Sequence, residues 1–358
     1  MWNSANYGAL KTCLMNYDPI QLSSIASGVQ GWKIMQDNYF LPDVPRNLWQ
    51  KRPKIPRIMG TTKDEWAYYE IDSMNSGKTN FTDYSKKYFE AELELFASII
   101  FGGQLQTSIN IFEHMFVPPG TADDDHLAWL KATVDVFSAA AFSSGISKDI
   151  EFYLRNNNSD VYVYEFTWPG VVANKCKVKA CEIPGWNPVV HASETKYVFM
   201  EESAWLSVNV SSTDYAMADF FGEAWTNFAK FGRPTLNDTW SPTTEIDVTK
   251  TEYLEIGQNM GMRVGYRTNQ RIAWNAIVPS LVGVLPPEMP DYNNGSHVEG
   301  PTSGPTSVQP TQPGTEPIKN QGSTPPSSAI NQRITGLLGN VLLIFSIIAA
   351  LFGSTNTF

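Results

Sequence analysis

The chain has 358 residues, a net charge of −10, 13% aromatic and 17% charged residues. That balance suits a globular body with a large apolar core and excludes a wholly disordered chain. It also argues against a nucleic-acid partner, because phosphate binding needs clustered Lys and Arg.

Met1-Trp2-Asn3-Ser4-Ala5-Asn6 has neither a basic n-region nor an apolar h-region, so it does not read as a signal peptide. Lys54 to Gly60 is a short apolar run closed by a Gly-Thr-Thr turn. It reads as a buried strand whose C-terminal end delivers Glu65. Tyr84 to Phe101, with Ala91, Leu93, Leu95 and Phe96, reads as a helix. Leu127 to Phe142 reads as a second helix, and Asp123-Asp124-Asp125 before it as its solvated start. Val161 to Trp168 is dense in β-branched and aromatic residues and reads as a strand. Asp214 to Phe231 reads as a third helix, stopped by Gly232 with Pro234 beyond. Strands alternating with long helices predict an α/β layered sheet over residues 1–284.

Residues 285–333 are dense in Pro, Gly, Ser and Thr. They bury too little apolar surface to offset their ordering entropy, which predicts a disordered stalk. Ile334 to Phe352 is a nearly uncharged apolar run of 19 residues. It has two readings, a membrane-spanning helix and a GPI-attachment signal. The absence of Lys or Arg after it, and Ser327-Ser328-Ala329 ahead of a short polar spacer, favour lipid attachment at Ser327. Either way the expected partner is a membrane.

The three cysteines are Cys13, Cys176 and Cys181. Cys176 and Cys181 bracket Lys177-Val178-Lys179 and read either as a local disulfide or as two free thiols. Their spacing fits no common metal pattern, with only His191 nearby as a further ligand, so no metal is expected. Sequons begin at Asn80, Asn157, Asn209, Asn237 and Asn294. Together with the tail they favour a secretory-pathway glycoprotein, anchored at the cell surface or secreted.

Gly60-Thr61-Thr62-Lys63-Asp64-Glu65 and, much later, Val190-His191-Ala192-Ser193-Glu194 give an acid followed by a histidine. That is the chain order of an α/β-hydrolase triad, Ser…Asp/Glu…His. The serine of that order lies in a G-x-S-x-G turn, a pentapeptide that does not occur in this sequence. Three further segments join these two: Asp37 to Pro42, Trp225 to Pro234, and Tyr253-Leu254-Glu255-Ile256. With all five in order, the chain resembles the type-B carboxylesterase/cholinesterase family of α/β hydrolases, over roughly residues 9–277. The likeness covers only the C-terminal half of the family domain.

The resemblance implies the C-terminal half of an α/β-hydrolase fold, a partial sheet with flanking helices. It implies that Glu65 is the triad acid and His191 the base, with no cofactor. Glu194 would make a structural hydrogen bond or salt bridge under the base, and Asp135 would be buried and structural. Cys13-Leu14 resembles the second cysteine of a family disulfide whose first cysteine would lie upstream of Met1. There are departures. Trp66, Ala192 and Met200 each replace a family glycine, and a family disulfide half near Phe142-Ser143-Ser144 is lost. His114, His126 and His297 have no motif around them.

The implied function is hydrolysis of small carboxylic esters, once an N-terminal half supplies the serine and oxyanion hole. Alone, this chain is expected to be inactive, because the triad works as a unit. The alternative is a non-catalytic, cholinesterase-like cell-surface adhesion protein. Retention of both Glu65 and His191 argues against it, since adhesion needs neither. A third reading is a true short product with an exposed sheet edge, prone to aggregation.

Overall fold

The computed structural model describes residues 7–21, 39–43, 47–101, 105–176 and 178–281. The stalk, the apolar segment 334–352, Asn294, His297 and Ser327 lie outside the described residues. So do Asp37 and Asn38 of the first family segment.

In chain order the labelled elements are α1 (Tyr7–Met15), β1 (Arg57–Thr62), α2 (Ala67–Asn75), α3 (Lys86–Phe101), α4 (Leu105–Phe116) and α5 (His126–Ser138). They continue with α6 (Ser144–Arg155), β2 (Val161–Phe166), α7 (Ser212–Phe231), β3 (Glu252–Ile256), β4 (Gly261–Val264) and α8 (Thr268–Ile272). The sheet order is β1-β2-β3-β4. The first two pairings are parallel and β3–β4 is an antiparallel hairpin.

Strand β2 sits inside the sheet, and its sequence shows it. Tyr162, Tyr164 and Phe166 pack with Phe221 of α7 and with Trp240. Val161 and Val163 leave by the other face, against Ile150 of α6 and Tyr266. Successive side chains alternate between faces, and both faces are covered, so the run has no polar alternation. A third cluster, with Trp66, Leu130, Phe137 and Trp274, fills the space among α2 to α5 and the chain after α8. In β1, Gly60 lies opposite Tyr164. A Cβ there would stand 2.4 Å from both the ring and the carbonyl oxygen of Tyr164, so the close approach requires glycine.

The predicted elements are present with shifted ends. Strand β1 starts at Arg57, not Lys54, because Pro53 and Pro56 offer no N–H. Arg57 N–H makes the first cross-strand bond, to Asp160 O at 2.8 Å. The helix predicted from Tyr84 begins at Lys86. Tyr84 itself is fully buried, and its hydroxyl donates to Glu70 at 2.8 Å. The helix predicted over Leu127 to Phe142 is α-helical only to Ser138. It then widens into a π-turn, Ala139–Ser143, and runs directly into α6. Asp125 caps its start, accepting from Ala128 N–H at 3.1 Å. Helix α7 opens two residues before the predicted Asp214. Ser211 and Asp214 exchange side-chain and backbone hydrogen bonds there, a capping box. It closes at Gly232, whose φ of 72° suits glycine. Among the described residues, no helix is long and apolar enough to cross a membrane.

Candidate active site

Strand β1 ends by turning through Thr62-Lys63-Asp64-Glu65 into α2. Thr62 N–H donates to Glu65 Oε1 at 2.8 Å, curling the carboxylate back over the strand end. Asp64 brings a distant loop to the same place. Its N–H donates to Val189 O at 3.0 Å, and its Oδ2 accepts from Val189 N–H at 2.9 Å. His191 N–H then donates to Glu65 O at 3.2 Å. Burial pushes the Asp64 carboxyl up to about 6, against the lowering effect of the Val189 N–H.

These backbone bonds bring two side chains together across 126 residues of sequence. His191 Nδ1–H donates to Glu65 Oε2 at 2.7 Å. The Glu65 side chain is 6% exposed and that of His191 41%, so the carboxylate is enclosed while the imidazole stays open. The hydrogen bond to Glu65 holds the imidazole above the usual histidine range, with burial opposing it. A carboxylate on Nδ1 fixes the tautomer and leaves the Nε2 lone pair free to take a proton.

Two rings flank the imidazole. Phe142 lies 4.7 Å from it, centroid to centroid, and Tyr68 meets it edge-on at 6.1 Å. Phe142 lies in the π-turn after α5, in the segment where the resemblance leads us to expect half of a disulfide. Nothing in its local sequence signals that placement. Glu194 accepts from Tyr164 OH at 3.3 Å, while its Oε2 is buried without a partner. Burial, and then the charge of Glu65, push its carboxyl up to about 7. Asp135 accepts a 3.4 Å hydrogen bond from Gln270, and burial raises its carboxyl against the nearby Arg267. It lines a cleft of about 400 Å³ with Arg267 and Gln270.

The departures from the family pattern have distinct consequences. Trp66 turns into the core, where its Nε1–H donates to Glu70 at 2.8 Å and its ring packs on Phe137 and Tyr69. Ala192 and Met200 both take positive φ, 62° and 45°, the region glycine suits. Cys176 and Cys181 form a disulfide, which closes the choice left open by their spacing, and Cys13 is exposed and free. Asn80, Asn157, Asn209 and Asn237 are all exposed. Among the described residues, no group of three or more His, Cys, Asp or Glu could hold a metal ion.

A parallel strand that delivers a carboxylate from its C-terminal end to a histidine on a later loop has the layout of an α/β-hydrolase acid–base pair. The chain belongs to the carboxylesterase family, whose profile matches residues 2–274. It is 24% identical to human bile salt-activated lipase over 265 residues, covering 70% of this chain and 32% of that protein. It is 21% identical to acetylcholinesterase 1 of Caenorhabditis elegans over 278 residues, and 28% identical to acetylcholinesterase 1 of Caenorhabditis briggsae over 274. Each of those two alignments covers 70% of this chain and 42% of the relative. The chain thus spans between 32% and 42% of the length of the relatives it matches.

Proposed function

We propose that this chain carries the acid and base of a serine hydrolase of carboxylic esters, Glu65 and His191. The nucleophile and oxyanion donors would come from polypeptide outside these residues. The observation that carries the reading is the 2.7 Å bond from His191 Nδ1–H to an enclosed Glu65, with the imidazole open on its other side. In the reaction, His191 Nε2 takes the serine proton as the hydroxyl attacks the ester carbonyl, and then gives it to the leaving alcohol. Glu65 holds the tautomer and stabilises the imidazolium without accepting the proton. Glu194, which accepts from Tyr164, and Asp135, which accepts from Gln270, are assigned structural roles outside the pair.

The four exposed sequons and the disulfide support an extracellular setting. The tail would supply a membrane anchor, by lipid at Ser327 or by a span over 334–352. An adhesion role is the second class, but it gives no reason for an enclosed carboxylate bonded to an open histidine.

Two measurements test the reading. In the full chain, Glu65→Gln should lower the His191 pKa, because it removes the charge that raises it. The native protein, isolated from its source with an antibody against residues 212–231, should be labelled on a serine by a fluorophosphonate. Native protein that contains these residues and takes no label would sink the enzyme reading in favour of adhesion.

A further inference from the structure

Lys175 lies outside the Glu65–His191 pair, yet it is fixed at the edge of it. Its ammonium stands 2.9 Å from the centroid of the Tyr68 ring and 3.4 Å from Asp72 Oδ1. Its carbonyl oxygen accepts from Asn75 Nδ2–H at 3.2 Å. Tyr68, Asp72 and Asn75 all belong to α2, the helix that follows Glu65. The next residue, Cys176, is bridged to the buried Cys181, so a short covalent loop secures the backbone beside the lysine. Tyr68 in turn meets the imidazole of His191 at 86°.

This chain of contacts has two electrostatic consequences. An aromatic face is the surface on which a protein receives a ligand cation, and at Tyr68 the lysine already occupies it. The ammonium also stands within about 9 Å of the imidazole, near enough to repel a second cation there. Asp72 offsets part of this charge, but its side chain is 63% exposed and screened, whereas that of Lys175 is 17% exposed. The other charges facing His191 are Glu65 and Glu194, and Lys175 opposes both in their effect on the imidazole.

We propose that Lys175 is a positioning and specificity-determining residue of this site. It seats Tyr68 against His191, closes the ring face to cationic groups, and selects neutral or anionic esters over quaternary ammonium esters. The word ester rests on the reading above; the electrostatic selection does not. Two of the matched relatives are named acetylcholinesterase, and by this inference the chain departs from the cationic substrate in that name.

The test uses the full chain with isotope-labelled histidine, His191 being assigned through His191→Gln. Lys175→Met keeps the aliphatic length and removes the charge. Lys175→Arg keeps the charge and the ring contact. The His191 pKa should rise in Lys175→Met and return toward the wild-type value in Lys175→Arg. Tetramethylammonium should shift the His191 resonance at several-fold lower concentration in Lys175→Met than in wild type, and acetate at higher concentration. A purely structural lysine would not reverse selectivity between cation and anion. An unmoved His191 titration in Lys175→Met, or unchanged tetramethylammonium affinity, overturns the proposal. Should Lys175→Met unfold, Lys175→Gln replaces it in the same comparison. Glu65→Gln is run alongside. If it leaves the His191 pKa unchanged, the acid–base reading fails while the Lys175 comparison stands on its own.

Discussion

Ala192 is the residue to change first, because it follows His191 directly and its φ is 62°. A left-handed conformation costs a residue with a Cβ about 1–2 kcal/mol. Replacing it with glycine removes that strain but adds about 0.5–1 kcal/mol of chain entropy to lose on folding. Ala192 is only half-buried, so losing its methyl group costs little apolar burial. The net expectation for Ala192→Gly is a gain of about 0.5–1 kcal/mol, or roughly 1–3 °C in Tm for a body of this size. Urea unfolding followed by tryptophan fluorescence reads it, as a higher midpoint at an unchanged slope. Ala192→Val should lose at least about 1 kcal/mol, since a β-branched side chain is worse still at positive φ. If Ala192→Gly lowered the midpoint while Ala192→Val left it alone, the strain argument would be wrong. The same argument covers Met200→Gly, at φ 45° on an exposed residue.

Gly60→Ala forces a methyl group to within 2.4 Å of the Tyr164 ring and carbonyl, so it should cost about 2–4 kcal/mol; an unchanged urea midpoint would contradict the close approach. Glu194 has its pKa raised to about 7, so the folded state holds a proton that the unfolded chain releases above its ordinary value of 4.5. Its contribution to stability is therefore full below pH 4.5 and is lost as pH rises through about 7, by roughly 3 kcal/mol in all. Glu194→Gln should flatten that slope in a pH series of urea melts and stabilise the chain at pH 8. Removing the disulfide by Cys176→Ala with Cys181→Ala should cost about 2 kcal/mol, as expected for a loop this short, and calorimetry would show it. Asp64→Ala leaves the buried Val189 N–H without its carboxylate, at about 1–3 kcal/mol. It should also weaken the Glu65–His191 bond, seen as a His191 pKa falling toward that of free imidazole.

Which of these features could be read from the sequence depended on how local their causes are. The composition of Val161 to Phe166 identified a strand, because every residue but Glu165 is β-branched or aromatic. The end of α7 was legible at Gly232, because a left-handed terminus favours glycine. Glu65 and His191 were legible through their order and flanking segments, not from either residue alone. Other contacts across long stretches of chain were not legible. Nothing near Asp64 announces that it grips Val189, and nothing near Phe142 announces a ring beside His191. The start of β1 was misjudged because apolar periodicity ignores the missing N–H of Pro53 and Pro56. The π-turn at Ala139–Ser143 was invisible for a different reason: an alanine-rich run satisfies α and π geometry alike.

The Glu65–His191 pair is held by bonds made wholly within the described residues. Asp64 to Val189, His191 N–H to Glu65 O, and Thr62 N–H to Glu65 Oε1 fix the loop, the histidine backbone and the carboxylate in turn. None of them calls for a nucleophile to be present. Under the proposed ester chemistry, a serine elbow from elsewhere would meet an imidazole whose Nδ1 is already bonded to Glu65, and would need only to bring its hydroxyl to the other side of the ring. The buried, unpartnered Oε2 of Glu194 and Oγ1 of Thr62 lie close to this pair in sequence. Unpaired polar atoms of this kind are costly to bury.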